Sequence, residues 1–468
     1  MQIVEYIMSK PNILLIVVDS LRSDKCYSQK KSSVTPTIDM LIKNGVYFEQ
    51  AISSAASTIL SVGSLLTGLY PFRIGLGGTA YQKLDPKITN LVKILKNNGY
   101  TAYATAPSVA DDFGLVCDFQ NPDSSYDNYF SLFSGLGDEI LDKIKNKKLK
   151  DPWLFYIHVS DLHSPVIVPP RFNDKKYGIS QYERMVSAID DWLSQILGYI
   201  DTKNTTIILT ADHGEYVPVL NTKNGLISLE SSDTEKNLWK LGNKIPKNLF
   251  PVKRKIGSLI RSSRNKLKSS KINDKNLSVY EKRVLFDSRM SVGHRMFDDL
   301  LRIPLILTGP KIPNNVLISN MIRQVDIFPT ILDLISIPIP NDIDGKNLLP
   351  LIEGQDMEEL ISHIESPPPL VENSSMKYIG IRTPKYKFIQ NIHDDKQSYE
   401  LYDLQNDPME EKNIITTSSK QIEQLKKSLR TMRNKKSLSQ NVEFDDNEKR
   451  RVENVLKKLG YMKKDDML

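Results

Sequence analysis

The sequence predicts an α/β fold in which one large, mostly parallel sheet lies between helices, with a smaller α+β unit after it. Three observations carry that prediction. Short continuous apolar runs, the mark of strands buried on both faces, occur at 12–18, 152–159, 205–210 and 303–308. Helix-like segments separate them at 36–44, 58–67, 88–98, 181–200 and 324–335, several closed by Gly or Asn. Residues able to do chemistry collect just past the runs: Asp19, Asp161 with His163, and Asp212 with His213. Ligands of such sheets gather at the carboxyl ends of strands, so this shared placement says more than any one residue.

Taken in order, the first run, NILLIVVD, ends in Asp19. The preceding MQIVEYIMSKP carries an early acidic residue and leads straight into that run, which reads as a first strand and not as a signal peptide. Next, the strand-like VYFEQA is followed by SSAASTILSVGSLLTGLYP, which puts Thr58 at the start of an apolar helix. A hydroxyl there feels the positive end of the peptide dipoles and becomes a nucleophile if a cation lowers its pKa. The bland reading of such a Thr is a helix cap. GLGG at 75–78 is too short for a nucleotide fingerprint and reads as a turn. Further on, HVSDLHSP supplies Asp161 and His163, with His158 packed inside its strand, and TTIILTADH ends on Asp212 and His213. Asp-His pairs after strands are ordinary turn residues or metal ligands, and an Asp after the first strand favours ligation. His363 and His393 read as surface residues.

After about residue 370 the texture changes to YIGIRTPKYKFIQNI and SYELYDL, two alternating strands, followed by charged helices near 418–435 and 445–459. The organisation is therefore a catalytic unit over 1–370, with an insertion at about 216–290, and a C-terminal subdomain over 371–468. Residues 240–271 hold eleven Lys/Arg and no Asp or Glu. Val252, Ile256, Leu259 and Ile260 recur there at helical spacing. The stretch is either a solvated loop or a basic amphipathic helix that draws an anionic, lipid-linked or polymeric substrate and touches a membrane surface peripherally.

Composition limits the function classes. The chain has 468 residues and 40% hydrophobic content, enough for a substantial core. Its 63 basic against 56 acidic side chains leave +7, a mild excess that does not call for nucleic acid. Two distant cysteines, Cys26 and Cys117, have no metal-finger spacing, and no run approaches the roughly 20 apolar residues of a spanning helix. A soluble cytoplasmic protein is the expectation.

The strings TPTIDMLIKNGVYFEQA, LLTGLYP, TADHGE, LLRIPLILTGP, QVDIFPTILDLISIPIPNDIDGKNLLPLI and ELYDLQNDPMEEKNI, in this order between about residues 11 and 415, resemble the sulfatase family of the alkaline phosphatase superfamily. The resemblance implies an alkaline-phosphatase-like fold, one divalent metal ion, and attack on a sulfate or phosphate ester. It implies a metal site of Asp19, Thr58, Asp212 and His213, with Zn, Mn, Mg and Ca all compatible with the ligand types. It also implies His163 and His294 as groups facing the transferred group or the leaving group, with Asp161 orienting His163 and Ser61 beside the nucleophile.

Counting back from LLTG puts Thr58 where family sulfatases carry the Cys that becomes formylglycine at the head of a C-x-P-S-R segment. Leu60 then stands for Pro, Ser61 for Ser and Val62 for Arg. No formylglycine is expected. A formylglycine hydrate discards sulfate by elimination, whereas a Thr ester must be broken by a second attack, which suits phosphoryl chemistry better. Ser20, at the place of a second Asp, implies a leaner one-metal site. The same departures at Leu60, Val62 and Ser20 keep a noncatalytic binding protein open, and transfer to an acceptor hydroxyl remains a further alternative.

Overall fold

The computed structural model describes residues 10–78, 82–127, 130–222, 225–232, 236, 277–287, 294–367, 377–392, 399–416 and 419–459. In chain order its strands are β1 Asn12–Val18, β2 Gly45–Ile52, β3 Thr101–Pro107, β4 Ser125–Tyr126, β5 Trp153–Val159, β6 Thr205–Thr210, β7 Val219–Thr222, β8 Gly225–Ser228, β9 Arg302–Thr308, β10 Val316–Arg323, β11 Ser362–Glu365, β12 Tyr378–Arg382, β13 Tyr386–Asn391 and β14 Tyr399–Asp403. Eight of them form the main sheet in the order β10-β2-β9-β6-β1-β5-β3-β4, and β7 and β8 form a separate hairpin. All four apolar runs are main-sheet strands.

Central β1 pairs in parallel with β5 on one side and β6 on the other. Every residue of β1, β5 and β6 is buried, which explains why these strands are apolar without alternation. Each fully buried Ile, Leu or Val contributes on the order of 1.5–3 kcal/mol. Only β9 runs antiparallel to its neighbours, β6 and β2. Two successive reversals restore direction, so β2 points the same way as β1, β5 and β6. The carboxyl ends of all four therefore share one edge, which is where the chemistry-bearing residues lie.

Sequence expectation and structure differ in places with a physical reason. β3, TAYATAP, lacks large apolar side chains, and β10, VLISNMIR, is an edge strand with exposed positions; neither shows as a continuous apolar run. The helix expected at 88–98 begins at Leu91, where the Asn90 side chain accepts the Lys93 N–H as a cap. The one expected at 324–335 opens with a tight turn, Gln324–Asp326, before Ile327–Leu334. His363, expected at the surface, is fully buried on β11. His393 and the basic stretch 240–271 lie outside the described residues.

The second sheet is antiparallel, in the order β11-β12-β13-β14. YIGIRTPKYKFIQNI divides at its Thr-Pro turn into β12 and β13, and β11 joins from before residue 370. Ile379, Ile381, Phe388 and Leu401 pack on Ile422, Leu425 and Leu429 of the helix Ser419–Arg433, which are spaced three and four apart on one face. No helix of the described residues is long and apolar enough to cross a membrane.

Candidate metal and nucleophile site

Strand register sets the site. Val17 of β1 lies opposite Thr210 of β6, and Val18 opposite Val159 of β5, so Asp19 and Asp212 leave adjacent strands side by side. One carboxylate oxygen of Asp19, one of Asp212 and a ring nitrogen of His213 all lie within 4.8 Å of one another, and all three residues are buried. Two buried carboxylates at this distance repel unless a cation or proton joins them.

The hydrogen bonds leave an open valence there. Asp212 Oδ1 accepts the N–H groups of Ser20 at 2.9 Å and His213 at 2.7 Å, while Oδ2 has no hydrogen-bond partner among the described residues. His213 Nδ1 donates to Gly214 O at 2.8 Å, so its Nε2 lone pair is left 3.6 Å from that same oxygen. An orphaned carboxylate oxygen, a second carboxylate and an imidazole lone pair fit a divalent cation. Ser20 holds the turn in place: its backbone is left-handed at φ +66°, and its hydroxyl donates to Asp19 Oδ1 at 2.5 Å. Tyr182 clamps that strained turn, donating to Ser20 O at 2.6 Å and accepting from Arg22 N at 2.9 Å.

The segment leading to Thr58 is anchored to the Asp212 loop. Ser53, next after β2, donates its hydroxyl to Asp212 O at 2.6 Å, and Gln324 Nε2 donates to Asp212 O and Ala211 O at 3.2 Å each. Thr58 then opens the helix Thr58–Thr67, half-buried, while positions 60–67 are buried. Ser57 is extended and provides no side-chain cap, so its hydroxyl does not satisfy the first-turn amides that surround Thr58. Ser61 is buried and donates to Ser57 O at 2.8 Å; the bond braces the first turn and turns the hydroxyl away from a substrate role. The helix stops at Gly68, at φ +67°, where a Cβ would meet Phe328 at 2.7 Å.

The remaining expected residues fall differently. His163 is half-buried past β5, with Nδ1 3.2 Å from Ser164 O. Asp161 was expected to orient it; instead both carboxylate oxygens accept the Leu132 N–H at 3.2 Å. His294 has no free ring nitrogen to offer across the site. Its Nδ1 accepts from Met296 N at 3.0 Å and its Nε2 donates to Glu400 Oε2 of β14 at 3.2 Å, which places it in the seam with the small sheet.

Residues 11–337 match the family model described as Sulfatase, about seven-tenths of the chain. The chain belongs to the sulfatase family. Residues 282–436 match the model described as N-sulphoglucosamine sulphohydrolase, C-terminal. Among sequence relatives, the ulvan-active sulfatase of Formosa agariphila is 22% identical over 457 residues, covering 88% of this chain and 77% of the relative. Arylsulfatase K of Rattus norvegicus is 28% identical over 164 residues, or 33% of this chain; the match spans 29% of that relative's length. Two solved structures share the fold: one in complex with its substrate D-glucosamine-2-N,6-O-disulfate, with TM-score 0.64, 16% identity and coverage of 91% of this chain and 97% of that one. The other is the phosphonate monoester hydrolase of Agrobacterium radiobacter, with TM-score 0.62, 17% identity and coverage of 91% and 95%.

Within this sulfatase fold, Val62, at the place of the segment's Arg, is fully buried in the apolar core and brings no charge to the site. Three contributors escaped sequence reasoning. Tyr182 sits in the first turn of an amphipathic helix, and Gln324 opens a string read as a helix start and a family motif without a role for its own side chain. His158 was assigned to strand packing, yet its Nε2 is 3.9 Å from Asp212 Oδ2. Burial lowers its pKa, so the ring is neutral despite the pull of Asp212 and Asp19. The available signal was its position: the last inward residue of β5, one strand from Asp19.

Proposed function

We propose that this sulfatase-family chain is a metal-dependent hydrolase that cleaves a phosphate or sulfate ester through attack by Thr58, phosphate being chemically favoured. The observation that supports it most is the buried Asp19, Asp212 and His213 group with its orphaned Asp212 oxygen, tied through Ser53 to the segment that ends at Thr58. A divalent ion bound by those three side chains and the Thr58 oxygen would supply the positive charge that acidifies the hydroxyl and polarises the ester. Zn, Mn, Mg and Ca are the candidates.

The chain's own residues then divide the work. Thr58 Oγ1 forms a bond to phosphorus or sulfur as the ester's alcohol oxygen leaves, giving a phosphorylated or sulfated Thr58. First-turn amides at the helix N-terminus face the charge that develops on the transferred group. His163 supplies the leaving alcohol's proton and afterwards takes one from the water that releases Thr58. That second step is a displacement at the central atom. It is easier at phosphorus than at sulfur without the elimination route of formylglycine, and neither Cys26 nor Cys117 opens this helix. The substrate is an anionic ester, and the sulfated sugar of the solved neighbour is a first one to try.

Chelated protein reloaded with each of the four ions and offered nitrophenyl phosphate, bis-nitrophenyl phosphate and nitrophenyl sulfate tests this reading. Phosphate esters should turn over faster, and Thr58→Ala should lose activity by on the order of 10³-fold or more while still binding the ion. Undiminished turnover in Thr58→Ala would reject the nucleophile, and a preference for sulfate would reject the phosphate assignment.

A further inference from the structure

His158 Nε2 and Asp212 Oδ2 are both fully buried, neither has a hydrogen-bond partner among the described residues, and they lie 3.9 Å apart. Such orphans are uncommon in folded proteins, and two facing each other call for a reason. His158 is on β5 directly opposite Val17, two residues before Asp19, so the sheet itself aims the ring at the ion-binding edge. Its backbone is further fixed by Tyr126, whose hydroxyl donates to His158 O at 2.9 Å.

The tautomer follows from the other ring nitrogen. Nδ1 is 2.9 Å from the Tyr156 hydroxyl, the bond recorded for that buried phenol. With the phenol donating to Nδ1, the ring proton sits on Nε2 and points at the carboxylate. The opposite tautomer would set a nitrogen lone pair against a carboxylate oxygen in a dry interior and leave the phenol proton without an acceptor. Donor therefore faces acceptor. His158 stands outside the set of three whose ligand atoms lie mutually within 4.8 Å, so its place is behind Asp212 and not on the ion.

We infer that His158 is a positioning residue for the cation site: its Nε2–H and Asp212 Oδ2 close to a hydrogen bond when the carboxylate takes up its ion, fixing the carboxylate's rotation without adding a charge that would oppose the cation. Tyr156 sets the tautomer that makes this possible. The inference rests on the ion-site reading above, and its test separates the two.

Full-length chelated protein is titrated with Mn²⁺ and with Zn²⁺, each alone, following bound ion by equilibrium dialysis. His158→Phe, which keeps a ring and removes the donor, should weaken binding by about 10–100-fold. His158→Gln, whose amide N–H can take the place of Nε2–H, should recover most of that loss, and Tyr156→Phe should fall between. Nitrogen-15 spectra of the ion-free wild type should show His158 protonated at Nε2. Wild-type affinity in His158→Phe, or a bare Nε2 in the spectra, overturns the inference. If His158→Phe does not fold by circular dichroism, the Gln and Tyr156 variants and the spectra decide in the same way. Asp19→Ala and Asp212→Ala are the controls: if they bind ion like wild type, the ion site itself is wrong, whereas if they lose it and His158→Phe does not, only the role of His158 falls.

Discussion

Asp161 shows how one side chain's surroundings set its behaviour. Its carboxyl is buried, and burial pushes its pKa up to about 7, against the smaller downward pull of the Leu132 N–H. In the unfolded chain the group titrates near ~3.9. Between those values the folded state holds the extra proton, so the contribution of Asp161 to stability is full below about pH 4 and is lost as pH rises through about 7. Asp161→Asn keeps an acceptor for Leu132 and removes the titration. Its melting temperature, relative to wild type, should therefore rise between pH 4 and pH 7; a constant difference across that range would count against the buried-acid description. The residue was visible in the sequence by its place past a strand, but its partner was not. Leu132 lies 29 positions away in the chain, and no local spacing announces a bond of that span.

Elements explain why the Asp19, Asp212 and His213 group was legible and the surrounding braces were not. Asp19, Asp212 and His213 stand immediately after apolar strands whose burial dictates their composition, so strand ends mark the sheet's edge directly. Tyr182 and Gln324 reach the loops after β1 and β6 from helical segments whose patterns report only which face is buried, and His294 stood before a recognisable strand but turned out to face Glu400 across the seam. Gly214 belongs to the same class of hidden constraint. Its N–H donates to Leu300 O at 2.7 Å, and a Cβ there would lie 2.2 Å from the Asp299 carbonyl oxygen, which is backbone and cannot swing aside. Gly214→Ala should cost about 1–3 kcal/mol by denaturant unfolding, through overpacking, and should also weaken Mn²⁺ binding because it moves the residue that fixes the His213 ring. Unchanged stability and unchanged binding together would show that the loop has room to spare.

At the scale of the whole molecule, the two sheets are joined by buried charge beside the loop that carries Asp212 and His213. Lys387 of β13 is fully buried, 2.6 Å from Asp298 and 2.6 Å from Glu410, and Arg382 of β12 is 3.0 Å from Asp298. Asp298 begins the short helix Asp298–Leu301, whose Leu300 and Leu301 carbonyls accept the N–H groups of Gly214 and Ser53. The small sheet is thus linked through one turn of helix to the segments carrying His213 and Thr58. Burial alone would raise the Asp298 pKa, but Lys387 and Arg382 hold it well below the usual carboxylate range, so this residue carries the charge. Glu410 is pushed up to about 7, by burial first. The stability contributed by Asp298 is present above its unfolded pKa of ~3.9 and is lost as pH falls toward its depressed folded value. Lys387→Met keeps the packed stem and leaves the acids short of a cation, which should cost about 3–5 kcal/mol near neutral pH and less in acid, where the carboxyls are protonated. Because the cluster ties both sheets to one turn, wild type should melt in one calorimetric transition. Separate melting of the small sheet in the wild type would mean that the sheets are stabilised independently and that the ion cluster does not couple them.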